Sequence, residues 1–412
     1  MTVAVHRHTF QVLLLTLAVI LGPAIAVAYH LTQPIDAEIG SFSIAQAIRG
    51  LLGALMFFSL FLSGELRLLK YRLVRPLLFL AVWAVLTVFA SPYPYQHIVL
   101  AVKMMFLAVV FVGALHLAKE RLIGERWLTT CGWVVLLTMA ACIGFGLITG
   151  RTVGVYKTRY ATAGLMSNVG VSAIMILSSL PILIRGAAVS SAAVAGIGIL
   201  YTSLFFTMRR SALIAAAVAT GYSFVVSLKP LRARIRWRRI LVPLGILLLL
   251  AGIGLNTPAG TDLMTRFRDL DPRGGTGSDR YIFWRISLEH ILHRPAHAQL
   301  WGEGMGSIRD FLKQSYGMAI PSHNDWLDLV NAFGLCGLIG MGWWYWELAR
   351  FALRLRDQRE GLFQGMCTAV IILGLMSIGT GGTFEPHWTL TYAAMGFWAG
   401  KTVYAIPTRD DS

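Results

Sequence analysis

Residues 97–118 read HIVLAVKMMFLAVVFVGALHLA, and Lys103 is the single Lys, Arg, Asp or Glu among them. Such a run is long enough to cross the hydrocarbon core of a bilayer as one helix, which takes about 20 apolar residues. Further apolar blocks flank it on both sides. Together, the predicted spans are residues 9–29, 43–64, 76–91, 97–118, 127–149, 164–184, 188–207, 210–228, 240–257, 325–347, 361–380 and 386–405.

The composition of the whole chain agrees with this pattern. Hydrophobic residues make up 56% of the 412 residues and charged residues only 14%, whereas a soluble protein carries about a quarter charged residues. The sequence therefore predicts an all-α polytopic membrane protein of about twelve transmembrane helices. The net charge is +16, but much of the basic excess lies in short loops between spans, where membrane topology requires it. No nucleic-acid partner is expected.

The distribution of Lys and Arg predicts which side of the membrane each loop faces. Loops after even-numbered spans are rich in basic residues, whereas residues 30–42, 90–96 and 381–385 contain none. Because cytoplasmic loops carry the excess of Lys and Arg, both termini are predicted to be cytoplasmic. The predicted organisation is residues 1–257 with spans 1–9, a long outer loop over residues 258–324, and residues 325–412 with spans 10–12 and the C-terminus.

Several basic residues depart from that rule and are predicted to face outward. Arg159 lies in the connection after the fifth span, and Arg209 and Arg210 occupy a very tight turn after the seventh. Arg49 and Lys103 lie in the outer thirds of predicted spans, where an isolated charge is costly and is usually paired or functional. Alternatively, these two side chains only extend their charged ends to the outer interface. The pattern predicts an anion-binding site at the outer membrane surface.

The long loop divides into an irregular beginning and short amphipathic helices. Pro and Gly residues over 258–277 argue against regular structure there. Ser278 or Asp279 could then cap a helix with Arg280 in its first turn. Apolar residues recur along this helix at three- and four-residue spacing, so it should lie on the membrane or on the helical bundle. Residues 302–306 are Gly-rich but follow no strand, which predicts a flexible connector rather than a nucleotide loop.

A Ser-His-Asn-Asp sequence directly precedes the tenth span. Ser322 with Asp325 three residues later resembles a capping box, which would place His323 in the first turn of a membrane helix. The positive helix end and nearby arginines would keep His323 neutral and able to accept a proton near pH 7. Asp325 acts in the opposite direction, which leaves the pKa of His323 open. A structural role for a single interfacial histidine is the alternative to catalysis.

Two groups of residues have a spacing that is compatible with metal ligands. His290, His293 and His297 have a spacing that could place three imidazoles on one helical face, but Pro295 interrupts that helix. A solvated helix end is the favoured interpretation. Residues 269–271 have the Asp-x-Asp spacing, but they lie in the Gly-rich part of the long loop rather than after the first span. We expect no metal site and no cofactor.

Three short elements resemble the O-antigen ligase family and its relatives, the O-antigen polymerases and the pilin O-glycosylating enzymes. Residues 208–212 (MRRSA) are similar to the family's Ser-Arg-small element, although Met-Arg replaces the usual run-up. Residues 278–284 (SDRYIFW) resemble its Arg-x-x-x-Trp stretch. Residues 295–306 and 322–327 resemble its Pro…Gly-x-Gly and His-Asn-x-x-Leu elements. The predicted topology is shared over most of the chain.

The resemblance implies a GT-C-like, lipid-dependent glycosyltransferase of the bacterial inner membrane with a periplasmic active site. It assigns to His323 the role of the base that activates the acceptor hydroxyl. Arg210 and Arg280 would bind the lipid pyrophosphate, with Arg209 as the alternative to Arg210. A guanidinium group matches pyrophosphate oxygens in a bidentate manner. Further cations expected to bind the pyrophosphate are Arg159, Lys103 and Arg49.

The implied reaction transfers a glycan from undecaprenyl pyrophosphate to a hydroxyl of lipid A–core, with inversion and without a metal. The donor, the acceptor and the membrane lipids are the expected partners. The nearest alternative is an O-antigen or exopolysaccharide polymerase, which uses the same donor but another lipid-linked glycan as acceptor. A lipid-glycan transporter without catalysis is the third reading. Transporters tend to carry charges in the middle of the bilayer and broken, paired helices, whereas the charges here cluster at the outer rim.

Overall fold

The computed structural model describes residues 8–21, 44–150, 162, 169–187, 190–227, 252, 256–268, 280–317, 322–356 and 360–403. Within these residues the chain is helical and has no β-strand. In chain order, the helices are α1 (His8–Leu21), α2 (Ile44–Leu62), α3 (Arg75–Leu86), α4 (Pro94–Lys119), α5 (Glu125–Ile148), α6 (Val169–Ser178), α7 (Leu180–Ala187), α8 (Ser191–Thr207), α9 (Arg210–Ser227), α10 (Pro258–Arg268), α11 (Arg280–His293), α12 (Ala296–Trp301), α13 (Ser307–Tyr316), α14 (Asp325–Leu355), α15 (Glu360–Gly379) and α16 (Thr389–Val403).

Five helical segments of the described chain are long and apolar enough to cross a membrane. They are Pro94–Lys119, Glu125–Ile148, Val169–Ala187, Asp325–Leu355 and Gly361–Gly379. Shorter apolar helices occur at His8–Leu21, Ala47–Leu62, Arg75–Leu86 and Ser191–Thr207. The all-helical membrane architecture predicted from hydropathy is therefore confirmed, and the protein is a multi-pass membrane protein. The predicted ninth span, 240–257, falls mostly outside the described residues.

Close packing of α4 against α16 fixes the middle of the bundle. Gly396 and Gly400 bring the backbone of α16 against the carbonyl groups of Phe111 and Leu115, so that a Cβ atom at either glycine would overlap these oxygens. Between helices in lipid, small residues stabilise association because they permit such close van der Waals contact. The segment that connects α15 to α16 runs beside the candidate site.

The predicted tenth span is a longer helix with a kink. α14 contains Gly334 at φ 61° and ψ −147°, which interrupts the helical hydrogen-bonding pattern. The carbonyl groups on the preceding turn bond to the long loop instead: Val330 O accepts from Arg294 Nη2 at 2.8 Å, Asn331 O from Glu303 N at 2.9 Å, and Ala332 O from Gly304 N at 3.2 Å. The predicted flexible connector at 302–306 is thus packed into the kink, because the interrupted helix leaves carbonyl groups that need donors.

The long loop is more regular than its composition suggests. The prediction of irregular structure over residues 258–277 is wrong for its first half: α10 covers Pro258–Arg268, because proline is well tolerated in the first turn of a helix. α11 begins at Arg280, close to the predicted start, and its buried face consists of Phe283, Ser287 and Ile291. Phe283 packs with Ile308 and Leu312, so this side of α11 contacts α13.

Candidate active site

His323 lies just before α14 rather than in its first turn. The N-cap is Asn324, whose side-chain oxygen accepts hydrogen bonds from the N–H groups of Trp326 (3.0 Å) and Leu327 (3.3 Å). The predicted capping role of Ser322 is therefore wrong, because asparagine, itself a strong N-cap, occupies that position. His323 has a φ of 58°. Non-glycine residues adopt this left-handed conformation at a cost of about 1–3 kcal/mol, and such residues cluster at functional sites.

Two neighbouring helices hold the residue before His323. Trp284 Nε1 on α11 donates to the carbonyl oxygen of Ser322 at 2.9 Å. The hydroxyl and the N–H of Ser322 both donate to Asp328 Oδ1 on α14, at 2.6 and 3.3 Å. Ser322 is buried. Because both helices restrain this residue, the left-handed conformation of His323 is fixed by its surroundings.

The end of α15 brings the predicted catalytic elements together. The carbonyl oxygen of Gly379 accepts a hydrogen bond from Arg280 Nη1. The backbone of the next residue, Thr380, is hydrogen-bonded to the imidazole of His323. The hydroxyl of Thr380 lies 2.5 Å from that of Ser211, near the start of α9. Elements from three distant parts of the sequence therefore meet at two consecutive residues.

The surroundings of His323 keep its imidazole neutral at pH 7. Burial, followed by the charges of Arg280 and Arg209, lowers the pKa of His323 to about 4, and the bond to Thr380 opposes this only in part. The contribution expected from Asp325 is not found, because its carboxylate bonds elsewhere. When one ring nitrogen donates to the Thr380 carbonyl, the other has a free lone pair and can accept a proton.

Arg209 and Arg210 occupy the predicted tight turn. α8 ends at Thr207, Met208 adopts a left-handed conformation with a φ of 52°, and α9 begins at Arg210. The charge of Arg209 acts on His323, as its effect on the histidine pKa shows. Arg210 immediately precedes the residue that contacts Thr380. The arginine doublet thus lies at the same corner of the bundle as Arg280.

Lys103 and Arg49 lie beside a carboxylate that the sequence did not single out. Lys103 Nζ is 2.6 Å from Glu385 Oε1. Burial raises the pKa of Glu385, but the positive charges around it, with Lys103 the strongest and Arg49 among them, lower it overall. Glu385 lies at the far end of the loop that follows α15, so this cluster joins the site through that loop. Arg159 lies outside the described residues.

Two of the three histidines considered as metal ligands, His290 and His293, bond to separate partners. His290 Nε2 is 2.7 Å from Glu303 Oε2, and its ring stacks on Phe311 with centroids 4.0 Å apart. His293 Nδ1 bonds to a carbonyl within its own helix at 2.7 Å. Among the described residues, no three or more His, Cys, Asp or Glu side chains are grouped to hold a metal ion. Residues 269–271 lie outside this part of the chain.

Comparison with known proteins agrees with the motifs. No protein of curated function matches the chain. The family described as O-antigen ligase matches residues 193–342, a segment that contains Arg209, Arg210, Arg280 and His323. The family resemblance is therefore confirmed over residues 193–342, which match the O-antigen ligase family.

Proposed function

We propose that the protein is an O-antigen ligase that transfers a glycan from undecaprenyl pyrophosphate to a hydroxyl of lipid A–core at the periplasmic face of the inner membrane. One observation carries this proposal. Arg280 and His323 are hydrogen-bonded to the adjacent backbone groups of Gly379 and Thr380, and the charge of Arg209 acts on His323. A cation and a neutral base placed side by side suit a transfer reaction with an anionic leaving group.

The arginines would bind the pyrophosphate of the donor. Arg280 and either Arg209 or Arg210 can each pair with two phosphate oxygens. Negative charge grows on the pyrophosphate as its bond to the sugar breaks, and cations already in place stabilise that charge. The remaining positive charges expected to face the donor are Lys103, Arg49 and Arg159.

His323 would act as the general base. The acceptor hydroxyl gives its proton to the ring nitrogen that is not bonded to Thr380, and its oxygen forms a bond to the anomeric carbon. The bond between that carbon and the pyrophosphate oxygen breaks, and the electron pair leaves with the pyrophosphate. Attack opposite the leaving group inverts the anomeric configuration. This chemistry uses the side chains of the site and needs no metal or cofactor.

Donor binding would also strengthen the base. An imidazole with a pKa of about 4 is a weak base at pH 7. The negative pyrophosphate would offset the charges of Arg280 and Arg209 and so raise the pKa of His323 towards the operating pH, where general bases work best. The base would therefore become effective only after the donor has bound.

The proposal includes the orientation predicted from the basic loops. Both termini would be cytoplasmic, about twelve helices would span the membrane, and residues 258–324 would lie in the periplasm. The periplasm supplies no nucleotide sugars, so a donor activated on a lipid is the chemistry that such a site requires.

A reconstitution experiment separates the ligase from its alternatives. With purified lipid-linked glycan alone, a ligase gives no longer chains. After lipid A–core is added, it gives glycosylated lipid A–core and free undecaprenyl pyrophosphate in equal amounts. A ladder of longer glycans without lipid A–core would replace the ligase with the O-antigen or exopolysaccharide polymerase. Movement of intact lipid-linked glycan across vesicles, without any new glycosidic bond, would favour the transporter.

A further inference from the structure

Asp325 is the first residue of α14 and lies two residues after His323, yet its carboxylate points to a different partner. Its Oδ1 atom accepts a hydrogen bond from the N–H of Gly382 at 2.6 Å. Its Oδ2 atom accepts from the N–H and the hydroxyl of Thr383, at 2.7 and 2.5 Å. Short hydrogen bonds to a carboxylate are stronger than those between neutral groups. Asp325 therefore ties the start of α14 to the loop that follows α15.

This loop is the one that carries the partner of His323. Thr380 is hydrogen-bonded to the imidazole, and the chain then turns at Gly381 (φ 75°) and Gly382 (φ 88°). Glycine adopts these left-handed conformations without the penalty that other residues incur. A Cβ atom at Gly381 would lie 3.2 Å from Asp325 Oδ1, so the carboxylate lies directly against the turn. Asp325 thus restrains the loop within three residues of Thr380.

We infer that Asp325 is a positioning residue for His323 and acts through the backbone of residues 380–383. The inference rests on the proposed function, since it gives Asp325 a part in the same reaction. The Thr380 carbonyl determines which ring nitrogen carries the proton, and therefore which one is free to accept the proton of the acceptor. A displacement of about 1 Å at a catalytic group can lower the rate by about 10²-fold. A restraint on the position of this loop therefore also restrains the imidazole of His323.

Two other roles for Asp325 predict different behaviour. A carboxylate that oriented the base directly would bond to the imidazole, whereas His323 is bonded to Thr380 and Asp325 to Gly382 and Thr383. A carboxylate with a purely structural role would change the fraction of folded protein and leave the behaviour of His323 in that fraction unaltered. Both differences can be measured.

The test uses the full-length protein reconstituted in lipid, with three variants. Thr383→Val removes one of the three donors to Asp325 without changing any charge, and Thr383→Ser is its matched control because it keeps the hydroxyl. Asp325→Asn removes the carboxylate. For each protein, kcat, KM for the donor and Tm are measured. The reaction of His323 with diethyl pyrocarbonate is followed against pH by mass spectrometry of its peptide, which reports the pKa of His323 independently of activity.

We expect Thr383→Ser to behave like the wild type. In Thr383→Val, kcat should fall by about ten-fold, and in Asp325→Asn by about 10²-fold. KM for the donor should change by less than about two-fold in each case, because donor binding uses the arginines. The pKa of His323 should fall in both variants, since the bond to Thr380 is the contact that raises it.

Three results would overturn the inference. The first is an unchanged kcat in Asp325→Asn. The second is a loss of activity that equals the loss of folded protein, with the pH dependence of His323 modification unaltered. The third is a lower pKa of His323 in Asp325→Asn while Thr383→Val matches the wild type, which would indicate a direct effect of the carboxylate. Absence of transfer by the wild type with every acceptor would instead count against the proposed function, and the modification of His323 would still report on the loop.

Discussion

His323 is hydrogen-bonded to the backbone of Thr380, the residue directly after α15. A backbone carbonyl orients the ring without adding a full negative charge beside it. A carboxylate in the same place would stabilise the imidazolium form and raise the pKa of the histidine more strongly. With Arg280 and Arg209 nearby, this choice of partner keeps His323 neutral in the free protein.

We predict that His323→Ala lowers kcat by about 10²–10⁴-fold, the contribution of a well-placed general base. The protein should still insert and purify normally, because Asn324 rather than His323 caps α14. Initial rates of glycan transfer, compared at equal amounts of monodisperse protein, check this. If the variant kept more than about a tenth of the activity, the role of general base would be untenable.

Arg280→Ala should raise KM for the donor and lower kcat, because Arg280 would bind the pyrophosphate and stabilise the leaving group. Arg280→Lys should restore only part of the activity, since an ammonium group lacks the planar, bidentate geometry of guanidinium. Arg285→Ala is the matched control on the same helix, because its side chain is 60% exposed and pairs loosely with Glu289 at 3.8 Å. Equal losses in Arg280→Ala and Arg285→Ala would argue against a specific role.

The pH dependence should differ between the free enzyme and the donor complex. A base works only when unprotonated, so activity is lost as the pH falls through its pKa. For the free enzyme, kcat/KM for the donor should fall only as the pH approaches about 4. In the donor complex the pyrophosphate raises the pKa, so kcat should begin to fall at a higher pH. An acidic limb of kcat that lies below that of kcat/KM would contradict this electrostatic coupling.

Transfer should continue in excess EDTA and need no added Mg²⁺ or Mn²⁺. The physical reason is that arginines in place can stabilise the leaving pyrophosphate without a cation from solution. The measurement is the initial rate before and after chelation. Loss of activity that one divalent ion restores would instead implicate residues 269–271 or the group of His290, His293 and His297.

Membrane topology can be measured with introduced cysteines, after the four native cysteines have been replaced. A cysteine at Gly277 or at Ser315 should react with a membrane-impermeant thiol reagent in intact spheroplasts, because residues 258–324 are predicted to lie in the periplasm. A cysteine at Ala233 should react only after the membrane is disrupted. The reverse labelling pattern would invert the orientation and remove the periplasmic site with it.

Hydropathy and short motifs were enough to predict a helical membrane protein and the family whose model matches residues 193–342. Both are local properties of the chain. The length of a span follows from the thickness of the bilayer. The roles predicted for Arg280 and His323 follow from the motifs that resemble the family, and the chemistry of a pyrophosphate and a hydroxyl agrees with them. Local sequence patterns also predicted the tight turn at Arg209 and Arg210 and the start of α11.

The partners of those residues could not be predicted in this way. Thr380 contributes its backbone to the site, and every residue type has the same carbonyl group, so no motif marks it. Lys103 stood out as a charge within a span, but its contact with Glu385 joins residues far apart in the chain. Asp325 resembled part of a capping box, yet its hydrogen bonds go to a loop that only the packing of α15 and α16 brings close. Polar groups inside a membrane bundle must find their hydrogen-bond partners within the protein. Those partners lie on whichever element is nearest in space, and only the tertiary structure decides which element that is.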